Sequence, residues 1–215
     1  MRGGRGSKGA GDRSALAFTF EGHETEGFAM DWSPARDGRL ATGDNRGNVR
    51  VWDAVAAEME AEGCVEGMTW RVSPADAFCG HTAAVEDIQW HPSDARAFAS
   101  CGCDGMVRLW DARDIRGPQL SFRASDVDVN VMAWNQRVSS FVLTGHDDGQ
   151  CAVWDTRFVS DSKKVEPAAL FHFHKKPITS VAWDPFDENC FASASEDHSL
   201  TLWDLSIEHD DPAAA

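Results

Sequence analysis

Histidine, serine or threonine, and aspartate recur together along this 215-residue chain, and these are the residue types from which a nucleophile, its base and an orienting carboxylate are built. Their repetition argues against that chemistry. A catalytic set is needed once, whereas equivalent sets at equivalent positions are architecture. His172 and His174 would share one face of a strand, as two metal ligands can, yet no carboxylate or cysteine stands nearby at ligand spacing, so no metal is expected. The six cysteines (Cys64, Cys79, Cys101, Cys103, Cys151 and Cys190) contain no C-x-x-C pair and are expected as reduced thiols packed like small apolar side chains. The sequence has no phosphate-cradling glycine loop and no isolated carboxylate pair. The chain is therefore read as a non-enzyme that needs no cofactor and takes no small-molecule substrate.

The elements that hold these residues are marked by tryptophan. Trp32 and Trp52, Trp90 and Trp110, Trp134 and Trp154, and Trp183 and Trp203 each stand twenty residues apart, and the second of each pair precedes an aspartate. Successive units begin 58, 44 and 49 residues apart, so the interior of a unit is constant and the connections vary. This is the arithmetic of a structural repeat. Each unit opens with Gly-His or a substitute, then runs in alternating apolar residues into its first tryptophan, as in Val85-Glu86-Asp87-Ile88-Gln89-Trp90. Period-two alternation predicts a strand. A turn follows, then a short strand of small residues, a tight turn with Asp or Gly, and a strand ending in Trp-Asp. A fourth strand is expected in the connections, over residues 16–20, 119–123 and 169–173.

Four short antiparallel strands per unit form the blade of a β-propeller, so the fold class is all-β. Residues 16–208 are read as one propeller segment with repeats at about 16–53, 68–111, 119–155 and 169–204, flanked by disordered tails at 1–15 and 209–215. The long connection 54–79 is acidic at Glu58, Glu60, Glu62 and Glu66, and its Trp70 is assigned to the outer strand of the first blade. Residues 158–168, with Lys163 and Lys164, read as a solvated loop.

Composition narrows the partners. The chain is 42% apolar and 26% charged, as a globular domain is, and has no run of eighteen apolar residues to span a membrane. Its net charge is −15, and the Arg/Gly-rich first thirteen residues are basic, so the remainder is more acidic still. Such a surface repels nucleic acid and attracts basic proteins. The expected client is a basic protein. Glu24, Glu26, Glu86, Asp87, Asp126, Asp128, Asp147 and Glu196, near strand entries and turns, are the candidate contacts.

The units resemble WD repeats over residues 16–204. That resemblance implies a buried hydrogen-bonded set of histidine, serine or threonine, turn aspartate and blade tryptophan. The matching sets are His81, Ser100, Asp104 and Trp110 in unit two, and His174, Ser193, Asp197 and Trp203 in unit four. Unit three offers Ser125, Thr144, Asp148 and Trp154 without the histidine; unit one offers His23, Thr42 and Trp52 with Arg46 in the aspartate position. Units two and four are therefore expected to be the stiffer blades. WD-type blades usually form seven-bladed rings, so four units are expected to make an arc of a larger propeller.

The wording of the units, such as Glu26-Gly27-Phe28-Ala29-Met30-Asp31-Trp32-Ser33-Pro34 and Gly38-Arg39-Leu40-Ala41-Thr42-Gly43-Asp44, resembles the glutamate-rich WD-repeat family. This implies a nuclear and nucleolar factor in large-subunit ribosome biogenesis, a chaperone that escorts a basic ribosomal protein within a pre-ribosomal complex. The related histone-binding WD proteins, which share Val85-Glu86-Asp87, are the first alternative. The second is a substrate receptor of a cullin-based ubiquitin ligase, from the resemblance carried by Trp110-Asp111-Ala112-Arg113 and Trp154-Asp155-Thr156-Arg157.

Overall fold

The computed structural model describes residues 18–53, 68–71, 76–159 and 165–207. The expected tails, Cys64, the acidic run from Glu58 to Glu66, and Lys163 with Lys164 lie outside the described residues. Everything described is strand, turn or connection, apart from one residue in a 3-10 turn.

Strand β1 (Phe18–Glu21) precedes the first antiparallel sheet, which begins with β2 (Met30–Trp32), β3 (Arg39–Gly43) and β4 (Asn48–Asp53). After β5 (Met68–Arg71) the chain adds β6 (Phe78–Cys79) to the outer edge of that sheet. The second sheet is β7 (Val85–Trp90), β8 (Ala97–Gly102), β9 (Met106–Asp111) and β10 (Leu120–Arg123). The third is β11 (Val129–Trp134), β12 (Phe141–His146), β13 (Gln150–Asp155) and β14 (Ala169–His172). The fourth comprises β15 (Ile178–Trp183), β16 (Cys190–Ser195) and β17 (Leu200–Asp204). The first three strands of each sheet form a meander joined by short turns, the least costly way to pair consecutive strands.

The inner strands β2, β7, β11 and β15 follow one another side by side. The core is divided accordingly into three clusters, each between two neighbouring sheets. Val49 and Ala41 meet Ile88, Trp90 and Phe98 between the first and second; Val107 and Ala99 meet Met132, Trp134 and Trp154 between the second and third. Leu143, Cys151 and Val153 meet Ile178, Trp183 and Phe191 between the third and fourth. A side chain of this size contributes roughly 2–3 kcal/mol when fully buried. The fold is thus held by blade-to-blade faces.

The outer strand of each of the first three sheets reaches over the next. Phe78 of β6 lies 5.9 Å from Trp110, Phe122 of β10 lies 4.9 Å from Trp154, and Phe171 of β14 lies 4.8 Å from Trp203, ring centre to ring centre. Phe20 of β1 stands in the same relation to Trp52, at 5.0 Å. The assignment of Trp70 to the outer edge of the first blade is corrected: β5 pairs in parallel with β1, Phe20 opposite Trp70, and the first sheet is completed by β6. Phe78 and Cys79 take that edge, which sets the Phe78 ring against Trp110. The uniform burial expected of the thiols is also corrected, since Cys101 and Cys151 are buried but Cys79 is exposed on the edge strand β6.

The tight turns between second and third strands force the backbone into the left-handed region. Gly47 and Gly149 sit at φ of +83° and +86°, and a Cβ there would come within 2.6 and 2.7 Å of the carbonyl oxygens of His81 and His174. In the fourth blade His198 adopts φ of 70° at the corresponding turn, a conformation uncommon outside glycine.

Candidate protein-binding face

The polar set inside the second blade is a continuous chain of hydrogen bonds. The Trp110 indole donates to Ser100 Oγ at 2.8 Å; Ser100 Oγ lies 2.7 Å from His81 Nε2; His81 Nδ1 lies 3.0 Å from Asp104 Oδ1. An ionised carboxylate only accepts, so Nδ1 carries the proton and Nε2 receives the serine hydroxyl. The fourth blade repeats this with Trp203, Ser193, His174 and Asp197. Asp104 and Asp197 both lie well below the usual carboxylate range. For Asp104 burial pulls the other way and is outweighed by bonds from His81, the Thr82 amide and Arg108; for Asp197 the Ser199 hydroxyl leads.

The first and third blades complete the chain with residues two positions after the threonine, which corrects their expected deficits. Asp44, not position 46, holds His23: its Oδ2 lies 2.9 Å from Nδ1, while His23 Nε2 lies 2.6 Å from Thr42 Oγ1, which accepts the Trp52 indole at 2.8 Å. Asp44 also accepts the amides of Arg46 and Asn48. In the third blade His146 Nε2 lies 2.8 Å from Thr144 Oγ1, which accepts the Trp154 indole at 2.9 Å. Asp148 accepts the Gln150 amide, and Ser125 accepts that of Val127. The missed signal was Thr-Gly-x in both blades, Thr42-Gly43-Asp44 and Thr144-Gly145-His146. Glycine is required there because a Cβ would strike Val85 or Ile178 of the next blade at 2.6 or 2.4 Å.

These histidines are structural. His81 is held below its ordinary pKa by burial and by Arg108, and His146 is pushed down to about 4 by burial. Imidazoles held at both nitrogens, as those of His23, His81 and His174 are, offer no free lone pair to a substrate or metal. His174 is locked in this way and buried, whereas His172 is exposed.

The loops entering the inner strands and the turns between second and third strands gather at one end of the blades. Asn45 donates to the Glu26 carbonyl, Asp147 to that of Asp128 and Glu196 to that of Pro177, each at 2.9 or 3.0 Å. That end is acidic. Glu26, Asp126, Asp147 and Glu196 are exposed and Asp128 is half-buried, and among the described residues none of the five is in an ion pair. Glu24 pairs with Arg46 at 2.6 Å, and Glu86 accepts the Cys103 thiol at 3.0 Å. Lys175 and Lys176 are exposed on the same end in the fourth blade.

Asp87 does not belong to this rim. Its carboxylate accepts the Ile88 amide at 2.8 Å and the Met132 amide of the third blade at 2.9 Å, and burial pushes its pKa up to about 6. Asp31 has the same role in the preceding blade, accepting the Trp90 amide at 2.6 Å. Between the third and fourth blades an amide takes over, Asn130 donating to the Ile178 carbonyl at 3.2 Å.

The opposite end is built differently. Arg36, Arg96, Arg113, Arg116, Arg137 and Arg157 are each paired with Asp53, Asp94, Asp111, Asp114, Glu188 and Asp155 respectively. Those guanidinium groups are neutralised in pairs, and Asp37, Asp184, Asp187 and Asp204 on the same end stand outside the ion pairs among the described residues.

The model named WD domain, G-beta repeat matches residues 14–53, 73–111 and 165–204. The chain belongs to the WD-repeat family. The WD repeat of the third blade falls between the matched stretches, yet its sheet β11 to β14 has the same order and its Trp154 the same partner atom. Among its relatives, the chain is 41% identical over 91% of its length to Protein HEAT STRESS TOLERANT DWD 1 of Arabidopsis thaliana, covering 39% of that protein. It is 39% identical over 90% of its length to Ribosome assembly protein rrb1 of Schizosaccharomyces pombe, covering 38%. Over 47% of the chain, identity is 44% to Glutamate-rich WD repeat-containing protein 1 of Dictyostelium discoideum, covering 18%. A more distant relative, Histone acetyltransferase type B subunit 2 of Debaryomyces hansenii, is 28% identical over 91% of the chain, covering 45%. The chain thus spans about two fifths of the length of the first two relatives, and its four WD blades form a scaffold.

Proposed function

We propose that this chain is a non-enzymatic WD scaffold of the nucleus and nucleolus that escorts a basic large-subunit ribosomal protein during ribosome assembly. The observation that carries this reading is the acidic end of the blades, where Glu26, Asp126, Asp128, Asp147 and Glu196 have no cationic partner among the described residues. Unpaired carboxylates on a rigid frame raise the local concentration of a cationic client and release it as salt is added. The kinship with a ribosome assembly protein supports the choice of client. Kinship with a histone acetyltransferase subunit supports a second reading in which the client is a histone.

The test is a pull-down with purified basic large-subunit ribosomal proteins and with core histones, at low and at raised salt. Capture of a ribosomal protein that weakens with salt is the expected result. Capture of histones alone selects the second reading, and capture of neither overturns both.

A further inference from the structure

The third blade closes its polar set from within its own sheet, and a cavity opens where the second blade is filled. Nine residues before the inner tryptophan the other blades carry His23, His81 or His174, whereas the third carries Ser125. The second blade also has Arg108, opposite Ser100 in the register of β8 and β9; the residue opposite Thr144 in β12 and β13 is Ala152. Two long side chains of the second blade thus correspond to two short ones in the third. Beside Ser125 lies an open cavity of about 650 Å³, whose wall includes His146, Asp148 and Trp154.

His146 points to a ligand there. It is only 2% exposed; beyond the structural contact of Nε2 with Thr144 Oγ1, its Nδ1 has no partner among the described residues. Thr144 donates its own hydrogen to the Ala152 carbonyl at 3.3 Å, so Nε2 carries the ring proton and Nδ1 keeps a free lone pair. Asp148 is likewise underused. Its counterparts Asp104 and Asp197 each hold a histidine Nδ1 at 3.0 Å, whereas Asp148 accepts the Gln150 amide and no side chain among the described residues. Asp126 and Glu166 line the same cavity, and all three carboxylates are exposed and in no ion pair among the described residues. The cation on the wall, Arg123, directs its guanidinium away to the backbone carbonyls of Asp104 and Ser125. The second blade shows what such a set accommodates: Arg108 Nη1 donates to Asp104 Oδ2 at 2.9 Å and lies 2.7 Å from His81 Nδ1. The third blade has the carboxylate and the imidazole nitrogen without the arginine.

We propose that this cavity of the third blade binds an arginine side chain of a partner polypeptide, whose guanidinium donates to Asp148 and to His146 Nδ1. That the polypeptide is a basic client rests on the function proposed above. Lysine fits less well, because an ammonium is a point charge and the site calls for a planar fork with donors in two directions. Nuclear magnetic resonance of the isotope-labelled 215-residue chain, titrated with end-blocked Gly-Arg-Gly and Gly-Lys-Gly peptides, tests this. The reporter is the Trp154 indole N–H, which donates to the same Thr144 hydroxyl that His146 touches. A saturable shift with the arginine peptide is expected, with affinity at least about fivefold lower for the lysine peptide. Asp148→Asn, at an exposed position, should weaken arginine binding about tenfold, as loss of a charge-assisted hydrogen bond does. Ser125→His gives the third blade the histidine of the others and should abolish binding with unchanged far-ultraviolet circular dichroism. No saturable shift, an equal response to the two peptides, or arginine binding unchanged by either substitution overturns the site. Arginine binding here with neither a ribosomal protein nor a histone captured in the pull-down would refute the basic-client reading and leave the site standing.

Discussion

His146 Nε2 stands 2.8 Å from Thr144 Oγ1, two residues back on the same strand, and so fills from inside the sheet the place that His81 and His174 fill from a connecting loop. The two routes have different consequences for pH. His146 is buried and its pKa is pushed down to about 4, so the folded chain binds this proton less readily than the unfolded chain does. Stability contributed by the neutral ring is complete above about pH 6.5 and is lost as pH falls toward 4, at most about 3 kcal/mol. Chemical denaturation at a series of pH values should show this loss in the wild type and a flatter profile in His146→Gln.

Asp87 acts in the opposite sense within a neighbouring window. Burial raises its pKa to about 6, so the folded state holds the proton more tightly, and this group lowers stability as pH rises from about 4 to 6. Asp87→Asn keeps an oxygen for one of the two amides and removes the charge. That variant should lack the fall, worth at most about 3 kcal/mol, in the same denaturation series.

Asp44 and Arg46 separate the expected from the observed geometry of the first blade. Asp44→Ala orphans His23 Nδ1 and the amides of Arg46 and Asn48, and should cost about 2–3 kcal/mol. Arg46→Ala removes one exposed ion pair and should change stability by less than about 1 kcal/mol. Equal effects of the two in thermal unfolding would contradict the placement of the carboxylate at position 44.

Ser100 joins Trp110 to His81 in the fully buried centre of the second blade. Ser100→Ala leaves two polar groups unpaired and should cost about 1–3 kcal/mol, whereas Ser100→Thr keeps the hydroxyl found at positions 42 and 144 and should cost less. Urea midpoints of the two variants decide this.

The acidic end can be tested apart from the fold. Replacing Asp126, Asp128 and Asp147 together by asparagine changes charge at positions that are exposed or half-buried and, among the described residues, in no ion pair. Client capture at low salt should drop by about tenfold or more, since each lost charge pair at a rim is worth up to about 1 kcal/mol. Unchanged capture would place the client elsewhere.

The tryptophan interval and the alternation around it determined the strands and the repeat, because period-two burial and turn chemistry are local properties that a sequence records directly. They also marked the polar sets of the second and fourth blades, whose four members keep the same spacing. Which residue closes the sets of the first and third blades was settled in three dimensions. A side chain two positions along a strand and another on a distant loop can reach the same atom, and spacing alone does not distinguish them. The same reason separates Asp87 from Asp128: both read as acidic residues at a strand entry, but Met132 comes from the next blade, and only packing brings its amide to Asp87. Trp70 was likewise assigned an edge that packing gives to Phe78, whose ring meets Trp110 of the next blade.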